Sequence, residues 1–462
     1  MLSDVDACHR MGLVHLQEGR LEAAMASLAR ALALAPARSD LHAALGRAFY
    51  AGKRFAEAAI CFRRALARRA DDPETLTNLG RALREDGNFD EAVGWHVRAL
   101  ALRPDFIEAR AHLTFTLYAA CRLDEAIAAA TSLLARVPGH PVATFCLAFA
   151  LLKSGDLPAG SAVYEARFGP AGKFFAPQAK SPPRPLWDGR ALPGGTLVLW
   201  HEQGFGDTIQ FVRYAKLVRP LIGRLILYCP PALIHLMTTA GDIDEIVSDT
   251  APLPPADFYV PIMSLMRAQK TTLATIPVPI PYLHADPARI KALSPLLASP
   301  LLKVGLVWAG NQSYLGDHRR STPLSALAPL LAVEGVRFFS LQLGGASAEQ
   351  RQGEWSGRIT DLAPHLKDFA DTAAALTGLD LLITVDTAVL HLAGALGRPA
   401  WAMIPGNGDW RWGLSGTTTP WYPGVTLYRQ DRIYDWHEVA RRLATDLHTL
   451  ARRPRPLTRP LR

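Results

Sequence analysis

The segment His201-Glu-Gln-Gly-Phe-Gly-Asp207 follows an apolar run, TLVLW, and opens an amphipathic stretch, TIQFVRYAKLV. Two glycines let the backbone turn tightly and approach a ligand, so Gln203, Gly204 and Gly206 form a candidate cleft loop with Asp207 at the start of a helix. A carboxylate there has two chemistries open to it. It takes a proton from a substrate hydroxyl as general base, or it caps the helix by accepting backbone N–H groups. In LLITVDTAVLHLAGALGRP a strand ends at Val385, and Asp386, Thr387 and Ala388 begin a helix whose free amides and dipole suit an anion. His391 stands one turn in, as a ligand or as a packed core residue, and Gly394 lies beyond it.

Two further loops have binding chemistry. In GLVWAGNQSYLGDHRRSTPL a turn at Asn311 precedes Arg319 and Arg320, whose guanidinium groups suit a diphosphate, or simply stand solvated. In PGNGDWRWGLSG the side chains of Trp410, Arg411 and Trp412 offer planes for a sugar or base, or pack into the core. Other chemistries lack their residues. A dinucleotide fingerprint would need glycine where Ile209 stands, His201-Glu202 has no partner histidine for HExxH, and the GxxxxGK[ST], GxSxG and CxxC patterns are absent. Asp242-Ile-Asp244 has the spacing of a metal-binding pair but reads as a solvated turn before a short strand, so no metal site is expected.

The elements that must position these loops are short β-branched or apolar runs separated by helix-length intervals. They are 196–200, 224–229, 245–247 and 258–262, then 303–308, 337–341, 379–385, 400–404 and 425–428. That alternation predicts two sets of βαβ units with parallel sheets, 196–295 and 296–450, hinged at the Pro-rich stretch 277–300. Ligands of open α/β sheets bind outside the carboxyl ends of the strands, where all four loops fall.

Before residue 168 the pattern differs. A 34-residue period aligns Met11-Gly12, Leu45-Gly46, Leu79-Gly80 and Leu113-Thr114, then Ala24, Ala58, Ala92 and Ala126, and closes on Pro36, Ala70, Pro104 and Pro138. Small residues where antiparallel helices cross, and a proline that stops the second helix, predict a helix-turn-helix array over residues 1–168, with four repeats and a partial fifth. The array resembles the tetratricopeptide repeat. Residues 169–195 have the Pro/Gly density of a connector.

The net charge of +8 asks for an anionic partner such as nucleic acid, a membrane surface or a phosphate-bearing small molecule. The segment 451–462, with five arginines, three prolines and no acid, is expected to be a disordered basic tail that carries much of that charge, so nucleic acid is not the expected partner. Five cysteines without close pairing fit a reducing compartment, and the longest charge-free apolar run, Val142–Leu152, is short for a membrane span. A cytoplasmic chain is expected, with a homo-oligomer left open.

With these loops in view, residues 185–440 resemble a two-domain GT-B glycosyltransferase of the heptosyltransferase-like group, joined to tetratricopeptide repeats as in many bacterial proteins. The resemblance implies a repeat solenoid followed by two Rossmann-like domains, acceptor-side first and nucleotide-sugar-binding second. It implies that Gly206-Asp207 supplies the acceptor-side base and that Asp386, Thr387, His391 and Gly394 hold the donor's nucleotide and phosphates. Gly394 stands where alanine is common, and Arg320-Ser-Thr-Pro stands where that group has Lys-x-Trp. The expected activity is metal-independent, inverting transfer of a sugar from a nucleotide-diphosphate donor, without a cofactor, to a protein, peptide or glycan acceptor docked by the repeats. The alternative is a non-catalytic repeat scaffold with a nucleotide-sugar-binding or inactive transferase-like region.

Overall fold

A computed structural model of the chain describes residues 4–175, 183–277, 279–311, 316–351, 355, 357–433 and 435–453. The chain divides into two compact units, one of residues 1–151 with 169–175 and one of residues 152–168 with 176–462.

The first unit is built from antiparallel helix pairs: α1 (Asp4–Gln17) with α2 (Leu21–Leu34), α3 (Ser39–Ala51) with α4 (Phe55–Leu66), α5 (Pro73–Glu85) with α6 (Phe89–Leu102), and α7 (Ile107–Ala119) with α8 (Leu123–Arg136). The start of α9 (Pro141–Ser154) completes it. The 34-residue pattern has a steric origin. A Cβ on Gly12 would lie 2.5 Å from Leu28, one on Gly46 2.7 Å from Phe62, and one on Gly80 2.6 Å from His96, so the first helix of each of the first three pairs needs glycine where the second crosses it, while the fourth has Thr114 there. Ala24, Ala58, Ala92 and Ala126 are fully buried at the same crossings. The turn between paired helices needs a left-handed residue, supplied by Gly19, Lys53, Gly87 and Cys121 in successive repeats.

His96 occupies the place that Phe62 fills one repeat earlier. It is fully buried, neither ring nitrogen has a hydrogen-bond partner among the described residues, and its ring stacks on that of His112. Burial, reinforced by Arg84 and Arg81, pushes its pKa down from 6.5 to about 3. The folded value lies below the unfolded one, so the unfolded chain takes up the proton first. His96 therefore carries no pH-linked cost above its unfolded pKa, and it destabilises progressively as pH falls from there toward the folded value. His96→Phe is expected to stabilise the chain by about 1–3 kcal/mol at neutral pH, by removing two unsatisfied buried polar atoms. It should also remove about 2 kcal/mol of the stability lost between about pH 7 and pH 5. Urea melts of the full chain at the two pH values check both.

The second unit begins within the helical segment. The boundary expected at residue 168 is displaced, because Leu152–Phe168, with α10 (Leu157–Tyr164), belongs to the compact unit of the α/β region, while Gly169–Phe175 belongs to that of the repeats. A buried ion pair ties the end of Leu152–Phe168 to the α/β region. Arg167 donates through Nε and Nη2 to both oxygens of Glu202 at 2.8 and 2.9 Å, and through Nη2 to Ser264 Oγ.

Two parallel sheets follow. The first comprises β1 (Leu192–Trp200), β2 (Ile222–Cys229), β3 (Glu245–Ser248) and β4 (Phe258–Pro261) in the order β3-β2-β1-β4. The second comprises β5 (Leu302–Val307), β6 (Val336–Ser340), β7 (Ile359–Asp361), β8 (Leu381–Val385), β9 (Ala400–Ile404) and β10 (Val425–Arg429) in the order β10-β9-β8-β5-β6-β7. The fold is thus a helical tetratricopeptide-type array followed by an α/β region of two parallel sheets, consistent with GT-B. Strand β1 starts at Leu192, inside the expected connector, and the edge strand β7 was not legible because it is three residues long. The Pro-rich hinge contains a helix, Pro287–Leu293, and Tyr282 ties it down by donating its N–H to Ala395 O and its hydroxyl to Ile209 O. Residues 176–182 of the connector and 454–462 of the basic tail lie outside the described residues. Among the described residues no helix is long and apolar enough to cross a membrane.

Candidate active site

Both sheets reverse their direction of winding beside their first strand. The first does so between β1 and β4, the second between β5 and β8. At such a switch point the two connecting loops part and leave a crevice outside the carboxyl ends of the strands. Loop 201–204 stands at the first. Loops 308–311 and 386–388 flank the second.

From β1 the chain passes through Gln203, which adopts a left-handed φ of 60° and whose side-chain amide donates to the Tyr164 hydroxyl. Gly204 then caps the helix Phe205–Phe211. Asp207, its third residue, accepts the Gly204 N–H on Oδ2 at 2.9 Å and an Arg411 Nη2–H on Oδ1 at 2.5 Å. The capping contact and the charged contact therefore coexist on one carboxylate. Burial raises the Asp207 pKa above the ordinary carboxylate range, the nearby Asp409 adds to this, and Arg411 and the Gly204 amide draw it back down.

Arg411 is the hub of this cluster. Beyond Asp207 it donates from Nη1 to Asp409 Oδ1 at 2.9 Å and from Nε to Gln210 Oε1, and its guanidinium lies 4.6 Å from the Trp410 ring centroid. Of the two roles expected for the loop of Trp410 and Arg411, a binding plane or core packing, the structure places both side chains in packed positions: Trp410 at 3 % exposure packs edge-on to Trp421, and Arg411 joins the two sheet regions by an ion pair. The helix Phe205–Phe211 packs directly on the helix Ala388–Ala395. A Cβ on Gly206 would lie 2.8 Å from His391 Cδ2 and 3.3 Å from Ala388 Cα, so this glycine is required by close approach of two helices.

On the β5 side a relay of hydrogen bonds holds Arg320. Gly310 N–H donates to Ser321 Oγ, Ser321 donates to Asp317 Oδ2, and Arg320 Nε donates to Asp317 Oδ1. Arg320 Nη1 donates to the Asp386 carbonyl at 3.0 Å, which joins the two loops of the switch point. Asp386 is partly buried, and burial together with the charge of Asp409 pushes its pKa up to about 6. Thr387 is the N-cap of the following helix without using its side chain as a cap, and Ala388 opens the first turn. Asn311 is exposed, and Arg319 is partly buried.

His391 is buried and its Nδ1 lies 3.0 Å from the Tyr422 hydroxyl, with its ring stacked on Trp412. Burial, and then Arg411, hold its pKa well below 6.5, so it is neutral. The glycine at 394 also has a reason: a Cβ there would stand 2.3 Å from the Tyr422 ring. The Asp242–Asp244 turn is structural at its second member, since Asp244 accepts the Leu225 N–H at 2.7 Å and pairs with Arg219. Among the described residues no group of three or more His, Cys, Asp or Glu is placed to hold a metal ion.

Sequence reasoning missed Glu202, Arg167, Gln210, Arg213 and Asp409. Gln210 and Arg213 were recoverable, because they follow Asp207 at three-residue steps within an apolar helix. Arg213 donates to Trp421 O and to the Tyr282 hydroxyl, each at 3.0 Å. Arg167 left no signal, since its partner lies 35 residues away.

Residues 15–82 and 75–106 match tetratricopeptide-repeat families, and residues 326–404 match glycosyltransferase family 9 (heptosyltransferase). The last span includes Asp386, Thr387, His391 and Gly394 and excludes Asp207, Arg320 and Arg411. Protein FlbA of Caulobacter vibrioides is 28 % identical over 347 residues, which are 68 % of this chain and 57 % of FlbA, so the chain spans a little over half the length of that relative. Among solved structures, pilF of Pseudomonas aeruginosa is 26 % identical, covering 35 % of this chain and 74 % of that one with a TM-score of 0.32. YrrB, described as a TPR protein with an unusual peptide-binding site, is 19 % identical over 37 % of this chain and 86 % of its own, with a TM-score of 0.32.

Proposed function

For a chain that carries tetratricopeptide repeats together with a family 9 glycosyltransferase region, we propose the following activity: metal-independent, inverting transfer of a sugar from a nucleotide-diphosphate donor to a protein, peptide or glycan acceptor that the repeats help to dock. The observation that supports this reading is that a positioned carboxylate, Asp207, follows the first strand of one parallel sheet, and a positioned guanidinium, Arg320, bonds the loop at the carboxyl end of β8 in the other.

Asp207 acts as general base in this reading. An acceptor hydroxyl must lose its proton as it attacks the anomeric carbon, and a carboxylate within hydrogen-bond reach accepts it. Two of the roughly four acceptor positions of the Asp207 carboxylate are taken, by Gly204 and Arg411, which orient it and leave one on each oxygen. Its side chain keeps 18 % exposure. The departing nucleoside diphosphate gathers negative charge, which Arg320 and the amides from Asp386 to Ala388 stabilise by electrostatics, with Arg319 and Asn311 beside them. Thr387 stands at the N-cap beside those amides, and His391 and Gly394 set the packing of that helix against Tyr422 and Gly206.

The hydrogen bond from Gly204 to Asp207 favours a second reading, in which Asp207 only caps its helix and the region binds a nucleotide sugar without turning it over. Calorimetric titration with a panel of nucleoside diphosphates and their sugars, in EDTA, tests the shared premise. Binding is expected to persist in EDTA and to weaken about tenfold in Arg320→Ala, the loss of one charge-assisted contact. Absence of binding across the panel would remove both readings. EDTA-sensitive binding would remove the metal-independent mechanism.

A further inference from the structure

The first helices of successive repeats share a face on which positions 47, 81, 115 and 149, one repeat length apart, are Arg, Arg, Phe and Phe. Positions 50, 84 and 118 beside them are Tyr, Arg and Tyr. These side chains form a ladder. The Arg81 guanidinium lies 4.8 Å from the Tyr50 ring centroid and that of Arg84 4.8 Å from Phe115. Phe115 stacks on Phe145 at 6.3 Å, Tyr118 meets Phe145 edge-on at 5.9 Å, and Phe145 packs on Phe149 at 4.4 Å.

The aromatic end already holds a pair of rings. Phe174 lies edge-on to Phe145 at 5.2 Å, and Phe175 lies 5.6 Å from Phe145 and 6.1 Å from Phe149. They come from the short helix Gly172–Phe175, which is not part of any repeat. Phe174 remains 41 % exposed, so it rests on the face and does not plug a core. Next to this cluster Arg84 is 8 % exposed and bonds Glu85 through Nε and Nη2, while its Nη1 has no hydrogen-bond partner among the described residues. A buried guanidinium with an uncommitted N–H gains most from a carboxylate.

We propose that this face docks an extended peptide bearing two adjacent aromatic side chains beside an acid, and that Phe174–Phe175 occupies its aromatic end as a resident stand-in. The proposal deepens, and rests on, the reading of the repeats as an acceptor-docking array. The aromatic pair enters the pocket made by Phe145, Phe149 and Tyr118, and the acid reaches Arg84. A tethered occupant is present at a high effective concentration, so an outside peptide binds only as it displaces Phe174–Phe175.

Fluorescence anisotropy on the full chain tests this with a labelled peptide copying residues 169–178, its Ala-Ala counterpart, and two versions with a pair of glutamates placed before or after the Phe-Phe pair. The copy is expected to bind Phe174→Ala/Phe175→Ala at least tenfold more tightly than wild type, and to lose binding when Phe145→Ala is added. The Ala-Ala peptide should not bind. One glutamate version should bind more tightly than the plain copy, with the gain abolished by Arg84→Gln. Phe174→Ala alone, which removes the more exposed ring, should show the same direction if the double variant does not fold. Equal binding to wild type and vacated variants, binding of the Ala-Ala peptide, or no gain from either glutamate version would overturn the proposal. No nucleotide or turnover enters the assay, so its failure leaves the transferase reading standing, and a failure of that reading leaves this binding unaltered.

Discussion

Asp207→Asn is expected to lower sugar transfer by about 10²–10⁴-fold, the usual contribution of a positioned general base, while nucleotide-diphosphate affinity stays within about threefold of wild type. Asparagine is nearly isosteric and can still accept the Gly204 N–H, so the helix cap is retained. What it loses is the ability to take a proton. Arg411 keeps Asp409 and Gln210 as partners, so the variant should remain folded. Steady-state transfer measured with the donor selected by titration, alongside calorimetric binding, separates the two roles. Transfer within tenfold of wild type would assign Asp207 to capping. Parallel loss of binding and transfer would point to a disturbed site and not to a missing base.

Arg411→Met should be among the most destabilising single substitutions in the α/β region, by about 3–5 kcal/mol, because it leaves Asp207 and Asp409 partly buried without their shared counter-charge. A loss of that size lowers the melting temperature by roughly 6–15 °C in a unit of this length. Its pH dependence has a definite sign. Without Arg411 the Asp207 carboxyl, already raised by burial, loses the charge that draws it back down, so its folded-state pKa rises further above its unfolded value and the folded state holds a proton that the unfolded state releases. The variant is then less stable at about pH 8 than at about pH 5. Combining Arg411→Met with Asp207→Asn and Asp409→Asn removes both charges and should recover most of the loss. Thermal melts of the three proteins at both pH values check this, and a single variant that melts within about one degree of wild type would refute the assigned role of Arg411.

The same arginine shows where the amino-acid sequence stops being informative. Its type and its two tryptophan neighbours suggested a ligand-facing plane, yet in the fold it is buried among Asp207, Asp409 and Gln210. A guanidinium binds a carboxylate of the protein or of a ligand by the same bidentate chemistry, so residue type alone does not say which partner it meets. His391 stands at the helix position the family resemblance implied, but the ring is neutral and engaged with Tyr422.

Local patterns determined much by themselves. The 34-residue period, the glycines at helix crossings and the alternation of short apolar runs with helical stretches specify the repeat array and nine of the ten strands among the described residues, because each is set by sterics and burial over a few neighbouring positions. The glycine-flanked loops at strand ends were legible for the same reason. Only the tertiary structure decided which charges meet. The pairs Arg167–Glu202, Arg411–Asp207 and Arg320 with the Asp386 carbonyl span 35, 204 and 66 residues. Such contacts depend on how two sheets and their connecting segments pack, and no local preference encodes that geometry, so a sequence names the candidate groups while the fold determines whether each faces a substrate or another part of the protein.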